Sequence, residues 1–185
     1  MATSKVPRVY LDSCYYIDVA KGEHGISDPN IQAHLPFVQA LFLAAQNGDI
    51  EIWASTFVIT ECLSVDKTVT TMNVPQNVQE TFLRLLKAGD PVKLQAVDVF
   101  IAERARDLRW THEINCGGGA DAIHVATAIE LGCEEFISTN KKRGPLNQTA
   151  ATKLSAQFRL RVIEAPFTSV LPPALSPGPL FRGTR

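Results

Sequence analysis

The chain has 185 residues, 45% of them hydrophobic and 20% charged, and its net charge is −1. This size and composition are typical of one soluble globular domain with a sizeable core, and they leave too little chain for two full domains. Charged residues interrupt every apolar run well before the ~18 residues of a membrane span, and the N-terminal residues lack the apolar stretch of a secretory signal. The four cysteines lie far apart, with no C-x-x-C pair and no histidine at zinc spacing, so we expect reduced thiols in a cytoplasmic protein without structural zinc.

Strand-like and helix-like segments alternate along the chain. In chain order, the patterns predict a strand at 6–11, helices at 13–20 and 28–47, a strand at 50–54, helices around 58–62 and at 76–88, a strand at 92–96, helices at 98–110 and 120–132, a strand at 135–138, a helix at 146–158 and a strand at 160–163. Such alternation predicts a single α/β domain over residues 1–165, with a parallel sheet of about five strands and helices on both faces. Residues 166–185 contain five prolines and are predicted to form an irregular tail.

Several helices carry sequence signals at their ends. Asp28 can cap the helix at 28–47, and Pro29 suits its first position. Ser55 or Thr56 is predicted to cap the helix that follows the second strand. The helix at 120–132 is apolar on nearly all sides, so we expect it to be central in the fold.

Charge is unevenly distributed along the sequence. Residues 141–185 contain eight lysines and arginines and a single acid, Glu164, whereas residues 1–140 are acidic on balance. A basic C-terminal quarter could attract a polyanion. A solvated helix face and tail would give the same pattern, and charge alone favours that simpler interpretation.

Three carboxylates stand in unusual surroundings. Asp12 directly follows an apolar strand, Glu61 lies in an otherwise apolar segment after the second strand, and Asp121 opens the most hydrophobic helix after the glycines at 117–119. In a parallel sheet, the segments that follow the strands meet at the same edge. Carboxylates gathered there require a cation, and a site made of oxygen ligands favours Mg²⁺ or Mn²⁺ over zinc.

Each carboxylate also has a simpler interpretation when it is considered alone. Asp12 and Asp121 could cap the helices that begin beside them. Glu61 could lie on the exposed face of an amphipathic helix. The three together, each after a predicted strand or at the start of a helix, favour a shared site.

Several segments resemble the PIN-domain family. The matching segments are A-R-D-L-R at 105–109, A-D-A-I-H-V-A-T-A at 120–128, G-C-E-E-F-I-S-T-N at 132–140, V-Y-L-D-S at 9–13 and I-T-E at 59–61. They look most like the VapC-type toxin ribonucleases of bacteria, and the resemblance spans about residues 6–164. The D-A-x-H-x-A-x-A run is its most specific part.

The resemblance implies that Asp12, Glu61 and Asp121 are catalytic residues that bind metal. The family's fourth acid follows the fourth strand as T-x-D, and Asn140 stands there in this chain. Asparagine can ligate metal or orient water but brings no charge, so this departure bears on a second metal more than on activity itself. A shift of one residue would place Lys141 there instead. Ser138 fills the family's threonine position, where it could hydrogen-bond a neighbouring carboxylate.

Three further residues lie beside the candidate ligands in the sequence. His124 lies one turn after Asp121 and could bind metal, but hard oxygen ligands elsewhere favour a satisfied core histidine. Cys14 and Cys62 are interpreted as small buried apolar side chains rather than as ligands.

We therefore expect a Mg²⁺- or Mn²⁺-dependent ribonuclease that hydrolyses RNA phosphodiester bonds, in which metal activates water and neutralises charge on the scissile phosphate. Lys141, Lys142 and Arg143 could grip RNA phosphates, although a solvated loop explains them equally well. The resemblance to toxins further implies a partner antitoxin and a homodimer. The alternative, which Asn140 favours, is a catalytically weakened PIN-like module that binds RNA or protein without metal.

Overall fold

Five parallel strands pair into one sheet in a computed structural model of the chain. The structure describes residues 5–26, 28–65, 74–87, 89, 91–139 and 147–176. The strands are β1 (Arg8–Leu11), β2 (Glu51–Ser55), β3 (Val92–Gln95), β4 (Glu135–Ile137) and β5 (Arg161–Ile163). The helices are α1 (Ser13–Glu23), α2 (Pro29–Gln46), α3 (Val58–Glu61), α4 (Gln76–Leu85), α5 (Val99–Trp110), α6 (Gly119–Glu130) and α7 (Gln148–Phe158), followed by a short 3₁₀ helix at Ala165–Phe167.

The order of the strands creates one point at which the connections change direction. The sheet order is β3-β2-β1-β4-β5, so β2 and β3 lie on one side of β1 and β4 and β5 on the other. In open α/β sheets, ligands bind outside the carboxyl ends of the strands at such a switch point. Asp12 is the first residue after β1, and its backbone amide donates to the carbonyl of Ile137 in β4 at 3.0 Å.

Both faces of the central strand are covered. Val9, Tyr10 and Leu11 are fully buried, and successive side chains of a strand point to opposite faces, so helices must cover the sheet on both sides. Tyr10 stacks on Phe136 of β4 with ring centroids 5.2 Å apart. Within the described ranges, no helix combines the length and the apolarity needed to cross a membrane.

The predicted α/β architecture is confirmed, and so are most helix starts. The Asp28 side chain accepts from the Asn30 amide at 2.8 Å, and Pro29 is the first residue of α2. Helix α6 is central as expected, with five consecutive buried residues from His124 to Ala128.

Two predictions near the second strand and the first helix are wrong. Ser55 and Thr56 do not cap a helix: Ser55 is the last residue of β2, and the Thr56 hydroxyl accepts from the Val97 amide at 3.3 Å. Helix α3 begins at Val58 without a side-chain cap. Helix α1 continues to Glu23, beyond the predicted end at residue 20, and Glu23 there accepts from the Thr81 hydroxyl of α4 at 3.3 Å and pairs with Arg84 of α4 at 2.6 Å.

The described part of the predicted tail contacts the sheet. Glu135 in β4 is fully buried, and its carboxylate accepts from the Thr168 hydroxyl at 2.6 Å and from the Ser169 amide at 3.1 Å. Arg161 in β5 completes the set with an ion pair to the same carboxylate. Thr168 and Ser169 are therefore held against β4, and the domain boundary at residue 165 stays a prediction.

Candidate metal centre

Asp12 is a buried carboxylate at the switch point of the sheet. Only 5% of the residue is exposed. One carboxylate oxygen accepts from the Ser13 amide at 2.8 Å, so Asp12 caps α1, and the other accepts from the Ser138 hydroxyl at 2.5 Å. Burial raises the pKa of Asp12 above its usual range, and the nearby charge of Asp121 acts in the same direction, although His124 and the bond from Ser138 oppose it. An acid held in this way is stabilised in its ionised form by a cation.

Ser138 orients the Asp12 carboxylate. It follows β4 and is fully buried, and its backbone amide donates to the Ile163 carbonyl in β5 at 3.0 Å. The expectation that Ser138 hydrogen-bonds a neighbouring carboxylate is confirmed by the 2.5 Å bond to Asp12. Because its backbone is fixed by the sheet, this hydroxyl holds Asp12 in one rotamer.

Glu61 reaches the site from the last residue of α3. Its side chain is 27% exposed, and its carboxylate lies 2.6 Å from Nε2 of His124. A carboxylate only accepts hydrogen bonds, so Nε2 carries the proton and donates to Glu61. The pKa of Glu61 is lowered: burial acts to raise it, but the hydrogen bond from His124 and the charge of that imidazole prevail.

His124 connects Glu61 to the buried sheet. Its Nδ1 lies 2.6 Å from the Tyr10 hydroxyl and 3.1 Å from the Ser55 hydroxyl, and the Ser55 amide donates to Tyr10 at 2.7 Å. The pKa of His124 is raised, because burial, which acts to lower it, is outweighed by the hydrogen bond to Glu61 and by the charges of the three carboxylates. The prediction of a buried, satisfied histidine is confirmed. What the prediction missed is that its partner is a candidate ligand.

Asp121 lies in the first turn of α6. Its carboxylate accepts from the Gly118 amide at 3.0 Å, so it helps to cap the helix, as the simpler interpretation expects. Its charge nevertheless acts on both Asp12 and His124, raising the pKa of each. Asp121 therefore both caps α6 and contributes its charge to the candidate site.

The charge of Asp121 acts on Asp12, and the charges of all three acids act on His124, but the acids do not form a closed set of ligands. Among the described residues, no three His, Cys, Asp or Glu side chains are close enough to be recognised as a group that holds a metal ion. Each carboxylate is instead engaged by a protein donor: Asp12 by Ser138, Glu61 by His124 and Asp121 by Gly118. The oxygen chemistry suits Mg²⁺ or Mn²⁺. The predicted Asn140, Lys141, Lys142 and Arg143 lie outside the described residues.

The thiols of the two cysteines beside the acids are harder to ionise than an exposed cysteine thiol. Burial raises the pKa of the Cys14 thiol, and the charge of Asp12 adds to this effect. Burial, together with the charge of Glu61, raises the pKa of Cys62 to about 12. Metal binds the thiolate rather than the thiol, so both positions are poor ligands.

The sequence analysis did not assign Tyr10 or Ser55 to the site. Both lie within strands whose other residues are largely apolar, and a buried hydroxyl in such a strand needs a hydrogen-bonding partner. The need for a partner could therefore have drawn attention to both hydroxyls. It does not identify the partner, because His124 is 114 residues from Tyr10 in sequence.

The chain was compared with protein-family models and with curated proteins. The model of the PIN domain matches residues 35–150, more than half of the chain, and this range includes Glu61 and Asp121 but not Asp12. No curated protein matches the chain significantly. PIN domains have a nuclease-like fold and generally use divalent metal, and the five-stranded parallel sheet is consistent with that fold. The chain belongs to the PIN-domain family.

Proposed function

We propose that the protein is a divalent-metal-dependent ribonuclease that hydrolyses RNA phosphodiester bonds. The observation that carries the proposal is the position of the acids around His124, beside the switch point of the sheet: Glu61 lies 2.6 Å from Nε2 of His124, and the charges of Asp12 and Asp121 act on the same imidazole. The imidazole of His124 offsets part of the charge of these acids, and a bound cation would offset more of it. Membership of a family whose members are typically nucleases supports the same proposal.

The carboxylate oxygens of Asp12, Glu61 and Asp121 are the groups that would hold Mg²⁺ or Mn²⁺. When bound, such an ion activates a water and neutralises charge on the scissile phosphate. Ser138 and His124 would fix Asp12 and Glu61 through the hydrogen bonds already present in the structure. Partners of this kind orient metal ligands and raise their basicity.

The remaining parts of the site rest on the resemblance. Asn140 would take the place of the family's fourth acid, and Lys141, Lys142 and Arg143 would contact RNA phosphates. A role as a VapC-like toxin, with an antitoxin partner, a homodimer and a cytoplasmic location, is part of the same proposal. Light scattering on the purified protein tests the homodimer, and a monomer at all concentrations would oppose it.

The second candidate function is a PIN-like module that binds RNA or protein but no longer cleaves. It is favoured by the absence of a group of three metal ligands among the described residues. The uncharged side chain of Asn140, in place of the family's fourth acid, also favours the binding module. A binder of this kind would bind RNA equally well with and without Mg²⁺ or Mn²⁺.

Cleavage of a panel of structured and unstructured RNAs in Mn²⁺, Mg²⁺ or EDTA separates the two functions. We expect metal-dependent cleavage by the wild type and a loss of roughly 100-fold or more in Asp12→Asn and Asp121→Asn, equivalent to about 3 kcal/mol in the barrier. Asp28→Asn is the matched control, because it makes the same exchange at an acid that caps a different helix, α2.

Two results would oppose the ribonuclease proposal. Cleavage that persists in EDTA would show that the acids do not act through metal. A wild type that never cleaves, yet binds RNA or a partner equally well in EDTA, would establish the binding module instead.

A further inference from the structure

A cavity of about 310 Å³ lies between α5 and the start of α6. Arg106, Arg109 and Trp110 line it from α5, and the glycines at 117–119 line it from the loop that precedes α6. The amide of Gly118 is also the group that binds the Asp121 carboxylate. The cavity therefore adjoins the proposed active site through a single residue.

Trp110 is unusually exposed for a large aromatic side chain. It is 73% exposed, and the Arg106 guanidinium lies 5.0 Å from the centroid of its ring. An indole ring left open to solvent beside an arginine provides a stacking platform on which a nucleobase gains favourable contact. The ion pair of Arg106 with Asp107 is partly exposed and 3.5 Å long, so it does little to neutralise this cation.

The charge and shape of the cavity suit a phosphate beside that platform. Two of its lining side chains are arginines, and none of the described lining residues is an acid. A Cβ atom added at Gly119 would meet nothing within 4 Å, so the backbone is open on this side. Arginine pairs with phosphate oxygens through two N–H donors, which suits a backbone phosphate of RNA.

We propose that this surface, formed by Arg106, Arg109, Trp110 and the glycine loop, binds a nucleotide of single-stranded RNA next to the scissile phosphate. The base stacks on Trp110, and the phosphate lies against Arg109. A duplex is disfavoured, because its bases already stack on one another and their faces are not available. The inference rests on the proposed ribonuclease function and names the form of RNA that the site accepts.

Tryptophan fluorescence tests the inference without any cleavage. The chain has two tryptophans, and in Trp53→Phe the emission comes from Trp110 alone. Titration of this variant in EDTA with an unstructured oligonucleotide of about 12 nucleotides should quench the emission. In the wild-type background, Trp110→Ala should weaken RNA binding about tenfold, and Arg109→Gln should weaken it and reduce its dependence on salt.

Phe100→Ala is the matched control. Phe100 lies in the same helix and is 71% exposed, but it does not line the cavity. Its loss should leave the affinity for RNA unchanged, and the duplex form of the oligonucleotide should bind more weakly than the single strand. The inference is overturned if the oligonucleotide does not quench Trp110, or if Trp110→Ala binds RNA as tightly as Phe100→Ala.

The inference and the proposed function fail in different ways. If the protein cleaves RNA in Mn²⁺ but Trp110→Ala changes neither affinity nor KM, the stacking surface is wrong and the ribonuclease stands. If Trp110 is quenched by single-stranded RNA in EDTA and cleavage is never observed, the surface is supported and the hydrolysis is not.

Discussion

The imidazole of His124 joins the candidate site to the core of the sheet. Nε2 donates to Glu61, and Nδ1 contacts the hydroxyls of Tyr10 and Ser55, so both ring nitrogens have hydrogen-bond partners. Glu61 is the last residue of a helix of only four residues. A helix this short cannot by itself hold a side chain in place, and we infer that His124 positions the carboxylate.

Replacing His124 should therefore weaken metal binding as well as stability. We expect His124→Ala to reduce the affinity for Mn²⁺ by about 10- to 100-fold, as is typical when a partner of a metal ligand is removed. The measurement is titration calorimetry with Mn²⁺, with the folded fraction checked by circular dichroism. Partial recovery in His124→Gln, which keeps a donor, would support positioning over a purely structural role.

Thr127→Val provides the control for that experiment. Thr127 is fully buried one turn later in α6, and its hydroxyl donates only within the helix, to the Ile123 carbonyl at 2.8 Å. The variant should lose some stability and keep its affinity for Mn²⁺. Equal losses of Mn²⁺ affinity in the two variants would mean that His124 acts through the fold alone.

At the scale of elements, the sequence patterns predicted the strands and most helices, because these depend on local apolar periodicity and on caps. Asp28 and Asp98 were read correctly as helix starts, whereas α3 was given a cap it does not have. The error arose because Ser55 and Thr56 have the residue types of a cap but are held by tertiary contacts, with the Thr56 amide donating to the Gln95 carbonyl at 2.8 Å. At such junctions, hydrogen bonds to distant residues override the local tendency of serine and threonine to cap a helix.

The cap of α5 gives a direct test at this scale. The Asp98 carboxylate accepts from the Ile101 amide at 2.9 Å. This amide lies in the first turn of the helix, where amides have no carbonyl partner within the helix. We expect Asp98→Ala to lower the free energy of unfolding by about 1 kcal/mol, measured by urea denaturation. Glu103→Ala, in the exposed middle of the same helix, should change it by less than about 0.5 kcal/mol. Equal effects would show that the cap contributes nothing.

At the scale of the whole molecule, the parallel order of the strands predicts that the acids gather at one edge of the sheet, and Asp12 lies at that edge, directly after β1. Alternating strands and helices require a parallel sheet, and a parallel sheet gathers the residues after its strands at one edge. The partners of those acids were not predictable, because the bonds from Ser138 to Asp12 and from His124 to Glu61 join residues 126 and 63 positions apart. No periodicity within the chain encodes such pairs.

Truncation tests where the domain ends. Removing residues 166–185 deprives the buried Glu135 carboxylate of Thr168 and Ser169, leaving a buried charge with fewer donors. We expect this truncation to lower the free energy of unfolding by about 2–4 kcal/mol. A truncation after Ser176 keeps those contacts and should be close to neutral. Equal stability of the two shortened proteins would place the boundary at residue 165, as the sequence predicted.

The burial of Asp12 within electrostatic reach of Asp121 affects the stability of the folded protein. A buried carboxylate whose pKa is raised by its surroundings and by a second acid makes an unfavourable contribution to the native state. Exchanging Asp121 for its uncharged isostere removes the repulsion and retains an oxygen that can accept from Gly118. Asp121 also favours the charged form of His124, so the change in stability is the difference between the two effects. A net gain would mean that the proposed site lowers the stability of the protein, which is the trade-off typical of sites selected for chemistry.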